Sequence, residues 1–340
     1  MLVRVSLAVM AALVAWPTGT CGLTIVTRGE DSPPLIAEAY VTPFTAVTGI
    51  AVRQDSWDGG VETLRARAAE QTGWDLVQVD PEELATGCAE GLFEKLDWPA
   101  IGGKEHYQPM GVSECGVGAM VNSTVLAWDR DKFSATPAWA DFWDVAKFPG
   151  KRGLAKSVRG ALEFALLADG VALADVYKTL ATAEGVDRAF RRLDQLKPYV
   201  VWWQTPAEAA KFLGSGDVLM TTTRASVIAR ANGTDKRNFG VQFAGGLYEP
   251  RLWAVMKGAN MREASQFLYF TGAPSIEARL QRISGETGLA KGVNDWLTPE
   301  QQTLSPTLPA NAGVALRVDN AFWHDNLAKL KTRFEAWLAQ

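Results

Sequence analysis

Arginine and aspartate side chains lie at predicted strand ends, where they can bind a charged ligand. Arg28 follows the first predicted strand, Arg224 follows three consecutive threonines, and Arg251 directly precedes another strand. An arginine guanidinium holds a carboxylate through two parallel hydrogen bonds. Asp31 lies in the first strand-to-helix turn and Asp80 follows the third strand, so each offers a carboxylate to an ammonium group. These residue types suit the binding of a small charged molecule.

Aromatic side chains lie close to the same charged positions in the sequence. Trp57, Trp203, Tyr248 and Trp253 all fall in predicted loops or at strand ends. An aromatic face can cover the methylene chain of a ligand or attract a cationic group. The alternative for each residue is packing in the core, where aromatic side chains bury a large area.

Histidine is too scarce for most catalytic or metal-binding sites. The chain has only His106 and His324, and neither lies beside a cluster of Cys, Asp or Glu. The chain therefore has too few suitable histidines for a histidine zinc site or a His-dependent catalytic triad. The Gly-x-Ser-x-Gly motif of a hydrolase nucleophile is also missing from the sequence. We expect no enzyme, no metal and no cofactor, with acidic pairs such as Glu82 and Glu83 leaving a glycoside hydrolase as an alternative.

The composition predicts a folded chain with a substantial core. The chain has 340 residues, of which 47% are hydrophobic, and this length corresponds to about two domains. Lys and Arg total 34 against 38 Asp and Glu, which gives a formal net charge of −4. We therefore expect no nucleic-acid partner, because binding to a polyanion requires a basic surface.

The first 22 residues read as a secretory signal peptide. Arg4 precedes an apolar run at residues 5–15, which is too short to span a bilayer, and small residues follow. Cleavage after Gly22 or after Thr20 fits the small-residue rule, and a lipoprotein acylated at Cys21 is the alternative. No later apolar run reaches the roughly 20 residues that a transmembrane helix needs. We therefore expect a soluble, exported protein.

Strand and helix patterns alternate along the mature chain. Strands are predicted at residues 23–27, 50–55 and 75–79, and helices follow them from residues 35, 58 and 81. This alternation predicts an α/β fold on a largely parallel sheet. Ligands bind outside the carboxyl ends of such strands, so the turns at residues 28–32, 56–60 and 80–83 are candidate binding loops.

Further strands and helices are predicted along the rest of the chain, and one strand segment is unusually long. Residues 116–127 are rich in β-forming residues over more than the length of an ordinary strand. The other predicted strands are at 200–203, 218–222 and 252–255, and the other predicted helices are near 139–145, 162–167, 175–182, 185–195 and 322–338. The last helix places apolar residues at helical spacing and is predicted to dock on the rest of the fold.

Many short segments resemble the spermidine/putrescine-type periplasmic solute-binding proteins of ABC importers. They cover nearly all of the mature chain in the same order: VTPFTAVTGI at 41–50, WDGG at 57–60, WDLV at 74–77, GCAEGLFEKLDW at 87–98, EFALLADG at 163–170, VWW at 201–203, LYEPRLW at 247–253 and the ending at 322–338. None is as specific alone as a phosphate-binding loop. Their number and order carry the resemblance.

The resemblance implies a two-lobed periplasmic-binding-protein fold of type II. Each lobe is then a mostly parallel sheet flanked by helices, with a hinge and a ligand cleft between the lobes. We expect residues 23–126 plus 251–293 in the first lobe and 127–250 plus 294–340 in the second. The closed receptor, expected to be a periplasmic monomer, would deliver its small-molecule ligand to the permease of an ABC transporter, which distinguishes it from the open form by shape.

The resemblance also implies a disulfide between Cys88 and Cys115. The leader contains the third cysteine, so an exported chain keeps two that can pair. Two buried thiols are the alternative reading.

Arginines depart from the polyamine pattern in a way that changes the expected ligand. Arg251 stands where that family often has an acid, and Arg159 aligns near another acidic position. Guanidinium groups in the cleft would repel a polyamine, by about 4 kcal/mol for like charges 4 Å apart at an effective dielectric constant of 20. We expect instead a zwitterion or carboxylate, for example an ω-amino acid such as γ-aminobutyrate (GABA), with its carboxylate on Arg251 or Arg224 and any ammonium on Asp80 or Asp31.

Several alternatives stay open from the sequence alone. The arginines can instead pair at the surface with acids such as Glu249 or Asp217. A polyamine remains the main alternative ligand, and tryptophan-rich clefts also stack on sugars. A ferric-ion receptor is disfavoured because it typically offers neighbouring tyrosines, and the six tyrosines here are never adjacent.

Overall fold

The computed structural model describes residues 22–29, 32–70 and 73–340. The predicted leader, apart from Gly22, and the candidate Asp31 lie outside the described residues. The strands are β1 Leu23–Arg28, β2 Val52–Trp57, β3 Leu76–Val79, β4 Gly116–Asp129, β5 Arg152–Ala155, β6 Val200–Trp203, β7 Met220–Arg224, β8 Phe239–Val255 and β9 Leu316–Arg317.

Helices fill most of the connections between these strands. The α-helices are α1 Ser32–Ile36, α2 Thr42–Thr48, α3 Val61–Glu70, α4 Pro81–Ala89, α5 Trp139–Trp143, α6 Val158–Ala168, α7 Val176–Leu180, α8 Ala183–Leu196, α9 Pro206–Ser215, α10 Ala225–Thr234, α11 Met261–Thr271, α12 Pro274–Ser284, α13 Pro299–Thr303, α14 Pro309–Ala312 and α15 Asn320–Leu338. A π-helical turn, Ala37–Val41, joins α1 to α2. None of the helices in the described part of the chain is long and apolar enough to cross a membrane.

One mixed sheet runs through the molecule in the order β2-β1-β3-β8-β4-β7-β5-β6, with β9 added beside β8. At one end β2, β1 and β3 run parallel, and at the other end β5 runs parallel to both β6 and β7. Strands β4 and β8 pair antiparallel between these two groups. The predicted α/β fold is confirmed, with a parallel group of strands at each end.

The strands β4 and β8 are long because they belong to both halves of the sheet. Their pairing extends from Gly116 opposite Ala254 to Asp129 opposite Phe239. The register shifts between Gly118 and Met120 and again between Thr124 and Leu126. Such irregularities bend a strand locally, so these two strands form the connection about which the halves can pivot.

Separate apolar cores lie on the two halves of the sheet. In the first half, α1, α2 and α11 pack on the sheet through residues such as Phe44 and Phe267, while Trp57, Trp74 and Leu84 pack on its other face. The second half has a larger core that joins α5, α6, α8 and α15. Two cores of this kind are the physical basis of two lobes.

The C-terminal segment contacts both halves. Helix α15 packs through Trp337 on Trp202, with ring centroids 6.0 Å apart, in the core of the second half. Leu297 instead packs with Ala278 of α12, and the Gln281 side chain of the same helix donates to the Gln301 carbonyl at 3.2 Å. The lobe bounds stay a prediction, and these contacts favour assigning residues 294–302 to the first lobe rather than the second.

A disulfide joins Cys88 of α4 to Cys115, the residue before β4. The two Cα atoms lie 5.9 Å apart, within the usual range for a bridge. The pairing that the resemblance implies is therefore present. It fixes the carboxyl end of α4, whose other end carries acidic residues of the cleft.

Candidate ligand-binding site

A cavity of about 270 Å³ opens where the long strands meet the strand ends of the second half. Arg224 at the end of β7, Trp203 at the end of β6 and Arg159 after β5 line it. Asn122 of β4 and Glu249 of β8 close another side. Strand ends are where ligands bind in α/β sheets, but these belong to β5, β6 and β7 rather than to the predicted turns at 28–32, 56–60 and 80–83.

A second, smaller cavity of about 110 Å³ adjoins the first and also includes Arg224. Ser32 and Ile36 of α1 line it from the first half, and Pro206 of α9 lines it from the second. Arg251 lies at its base. Both cavities therefore belong to one cleft between the halves, and Arg224 lies where they join.

The Arg224 guanidinium is available to a ligand. The residue is half-buried, and among the described residues its side chain has no hydrogen-bond or ion-pair partner. Its backbone lies opposite Thr124 of β4 and directly precedes α10, so the main chain holds it rigidly. A half-buried, unpaired guanidinium is well suited to bind a carboxylate.

Arg251 is more deeply buried and already has a partner. Its Nε donates to Oδ1 of Asp80 at 3.2 Å, and its side chain is 5% exposed. Burial lowers the pKa of Arg251, the charge of Asp80 raises it, and the nearby charges of Arg224 and Arg28 lower it further. The net effect is a pKa below the usual value. A further anion at this point would relieve the repulsion between guanidinium groups.

Asp80 is held by two arginines at once. Its Oδ2 accepts a hydrogen bond from Arg28, while its Oδ1 accepts from Arg251. Burial opposes ionisation of Asp80, but the charges of Arg251 and Arg28 outweigh it and hold its pKa below the usual range. Asp80 therefore ionises readily, and both of its oxygens are engaged within the protein.

Arg28 is built into the same network rather than aimed at a ligand. Its Nη2 donates to both oxygens of Glu83 at 3.0 Å, and its guanidinium stacks 4.9 Å from the ring centroid of Trp57. The guanidinium also occupies the space where a Cβ on Gly59 would lie, only 1.2 Å from that point. Glycine at position 59, with φ of 96°, is therefore needed to seat this arginine.

Arg159 forms an ion pair that spans the cleft. Its Nη2 donates to both oxygens of Glu82 on α4, at 2.7 and 2.8 Å. Its guanidinium also lies 5.4 Å from the ring centroid of Trp323 on α15. Arg159 adopts an extended conformation and Gly160 has φ of 84°, so the regular turns of α6 start after them. The pair ties α4 of the first half to α6 of the second.

Several buried polar atoms that line the larger cavity have no partner among the described residues. They are Oδ1 of Asn122, Nε of Arg159, Nε1 of Trp203 and Oε2 of Glu249. Asn122 and Glu249 face each other across β4 and β8, so the two acceptor atoms belong to neighbouring side chains. Trp203 and Arg224 offer donors at the ends of β6 and β7. Buried polar groups normally find partners, so this lining fits a polar ligand with both donors and acceptors.

Glu249 resists ionisation in this position. Burial and the nearby charge of Asp80 raise its pKa, Arg159 and Arg251 lower it, and Glu82 raises it, with a net value of about 7. Its carboxyl is therefore partly protonated near neutral pH in the unliganded protein.

Glu163 lines the same cavity but is fully paired. It accepts hydrogen bonds from the Gly160 backbone at 2.9 Å, the Tyr177 hydroxyl at 3.0 Å and the Trp323 indole at 2.9 Å. Burial raises its pKa, and these hydrogen bonds oppose that effect. Its role is to hold α6 and α15 together behind the cavity.

The aromatic candidates divide into cavity and core positions. Trp203 and Tyr248 line the larger cavity. Trp57 donates from Nε1 to the Gln78 carbonyl at 3.0 Å, packs on Trp74 and supports Arg28. Trp253 is 1% exposed and packs edge-on against Phe267 of α11. The placement of Trp253 corrects its expected ligand contact, because helix α11 covers that part of the strand.

Sequence reasoning did not assign Glu249, Asn122 or Trp323 to the site. The sequence predicts Glu249 only as a surface partner for the arginines. A signal was present, because residues two apart on a strand share a face and Glu249 is two residues before Arg251. Trp323 had no such signal, since the packing of α15 decides where it lies. In the described part of the chain, no group of three or more His, Cys, Asp and Glu residues could hold a metal ion.

A family model for bacterial extracellular solute-binding proteins matches residues 39–329. The chain belongs to this family. A relative, the gamma-aminobutyric acid-binding protein of Pseudomonas aeruginosa, is 39% identical over 99% of this chain and 96% of its own. This extracellular solute-binding protein thus has a small-molecule receptor as a full-length relative.

Solved structures share the fold of this solute-binding protein. The Atu4243–GABA receptor superposes with a TM-score of 0.80 at 27% identity, covering 94% of this chain and 98% of that one. The spermidine/putrescine substrate-binding protein of Streptococcus pneumoniae superposes with a TM-score of 0.74 at 15% identity, covering 93% and 99%. The second likeness concerns the fold alone. The expected two-lobed fold of type II is confirmed.

Proposed function

We propose that this protein is the periplasmic receptor of an ABC importer for a small ω-amino acid of the GABA type. It closes its two lobes on the ligand and delivers it, as a monomer, to the membrane permease. It carries out no bond chemistry. The family and the GABA-binding relative, 39% identical over almost the whole chain, support this reading.

The observation that carries the proposal is the guanidinium of Arg224, which has no partner among the described residues and lies where the two cavities join. A ligand carboxylate placed there would accept hydrogen bonds from Arg224 and from the free Nε1 of Trp203. It would also reduce the repulsion between Arg224 and Arg251. The reduced repulsion needs an anionic group on the ligand.

A polyamine suits this site less well. Two acids beside the arginines, Asp80 and Glu82, are already bound by guanidinium groups. A ligand with two ammonium ends would leave Arg224 without a counter-charge inside a partly desolvated cleft. This cost, together with the 39% identical relative, favours the amino acid over putrescine or spermidine.

Replacing Arg224 tests the proposed function. Arg224→Gln should weaken GABA binding about 10- to 150-fold, because a hydrogen bond to a charged group contributes about 1.5–3 kcal/mol. Isothermal calorimetry measures the change, and Arg262→Gln, on the exposed surface of α11, is the matched control.

A thermal-shift panel distinguishes the ligand classes. Ligand at a hundredfold its dissociation constant adds about 2.7 kcal/mol of stability, which gives a measurable shift. GABA should raise the melting temperature, whereas putrescine, spermidine and oligosaccharides should not. Stabilisation by a polyamine alone, or unchanged GABA affinity in Arg224→Gln, would refute the proposal.

A further inference from the structure

We infer that Glu249, together with Asn122, binds the ammonium group of the ligand and so selects amino acids over simple carboxylates. The inference rests on the proposed function, because it assigns the second charged end of the same ligand. It replaces Asp80 and Asp31 as the expected ammonium partners with a residue at the opposite side of the cavity from Arg224.

Three other acids around the described cleft have both oxygens occupied, whereas Glu286 of the smaller cavity accepts from the Ser226 hydroxyl through Oε1 at 3.0 Å. Asp80 accepts from Arg28 and Arg251, Glu82 accepts twice from Arg159, and Glu163 accepts from three donors. Oε2 of Glu249 is buried, has no partner among the described residues and belongs to a residue that lines the cavity. An ammonium group placed there would satisfy it without breaking an existing ion pair.

Asn122 completes an acceptor pair beside Glu249. The two residues are directly opposite each other on β4 and β8, and Oδ1 of Asn122 is also buried with no partner in the described part of the chain. Side chains directly opposite on antiparallel strands have Cβ atoms about 5 Å apart. Two acceptor oxygens at this spacing can share one ammonium, which has three donors.

The strand register separates this acceptor pair from the guanidinium by a suitable distance. Thr124 lies opposite Arg224, and Asn122 lies opposite Glu249 on the other side of β4. Glu249 is therefore displaced from Arg224 by two residues along the strand direction and by two strand spacings across the sheet. This places their Cα atoms roughly 12 Å apart. Side chains of ordinary reach then leave a few ångströms between the charged groups. The carboxyl carbon and nitrogen of extended GABA lie about 5 Å apart.

The charged groups that face Glu249 make its binding of an ammonium depend on pH. They are Asp80 directly before α4, Glu82 of α4, Arg159 before the regular turns of α6 and Arg251 of β8. With a pKa of about 7 in the free protein, the Glu249 carboxyl must release its proton to pair with an ammonium. Affinity for GABA should therefore fall as the pH is lowered, by about tenfold between pH 8 and pH 6.

Calorimetry with GABA and pentanoate tests the inference. Pentanoate keeps the carboxylate and replaces the ammonium with a methyl group, so it reports only the Arg224 end. Glu249→Gln should weaken GABA binding at least about tenfold and leave pentanoate within about threefold of the wild type. Glu300→Gln, an exposed residue on α13, is the charge-matched control and should change neither. Asn122→Ala should also reduce the preference for GABA over pentanoate.

The outcomes separate this inference from the proposed function. A wild-type protein that prefers GABA to pentanoate, together with a Glu249→Gln variant that keeps the same preference, would overturn only the role of Glu249. A wild-type protein that binds neither compound would overturn both proposals. Proton release at pH 6.5, measured in buffers of different ionisation enthalpy, should be lost in Glu249→Gln. Unchanged release would also count against the inference.

Discussion

Replacing Glu249 with glutamine should stabilise the unliganded protein at alkaline pH. The folded-state pKa of Glu249 is about 7, raised from 4.5 first by burial. A carboxyl with a raised pKa favours folding only while it is protonated, so its ionisation costs stability as the pH rises from 4.5 to about 7. At 1.36 kcal/mol per pKa unit, the cost is about 3 kcal/mol at pH 8 and under about 1 kcal/mol at pH 5.

Urea unfolding at the two pH values measures this difference. The Glu249→Gln variant never ionises at this position, so its free energy of unfolding should exceed that of the wild type by about 3 kcal/mol at pH 8. The gain should shrink to under about 1 kcal/mol at pH 5. Glu300→Gln should show no such trend. A Glu249→Gln variant no more stable than the wild type at pH 8 would refute the account of a strained, ligand-ready carboxylate.

Two further predictions concern the scaffold around the cleft. Reduction of the bridge between Cys88 and Cys115, which closes a loop with a sequence separation of 27, should lower the free energy of unfolding by about 3–4 kcal/mol. Guanidinium titrations with and without reductant would show the loss, and equal midpoints would contradict it. Glu82→Gln removes the ion pair between α4 and α6 and should weaken ligand binding about fivefold, since a partly exposed pair contributes about 1 kcal/mol. Calorimetry measures this change, and an unaltered affinity would mean that the pair does not stabilise the closed cleft.

Most secondary-structure elements were predictable, because apolar periodicity and glycine or proline stops mark them directly. Gly49, with φ of 73°, ends α2, and α4 begins at Pro81 as predicted. Strand β8 was recognised only at residues 252–255, although it begins at Phe239. Pro250 lies inside it, opposite Val121, and proline in a central strand usually argues against a strand. In the structure the strand nevertheless runs through Pro250 and pairs with both β3 and β4.

The candidate site was only partly predictable, since pairing depends on residues far apart in the chain. The positions of the arginines predict a charged site, but Arg28 of β1, Asp80 after β3 and Arg251 of β8 converge only in the folded chain. Nothing local indicates that two of these arginines neutralise one aspartate while Arg224 stays free. The same reason explains the buried position of Trp253. This residue lies on the same face of β8 as Glu249, but helix α11 covers that part of the strand.

Titration of the wild-type protein with GABA and with putrescine in the same calorimeter tests the central claim most directly. We predict saturable, one-to-one binding of GABA that weakens as the pH is lowered from 8 to 6, and no measurable heat with putrescine. Saturable binding of putrescine without binding of GABA would contradict the assignment of Arg224 and Glu249 to the two ends of an amino acid.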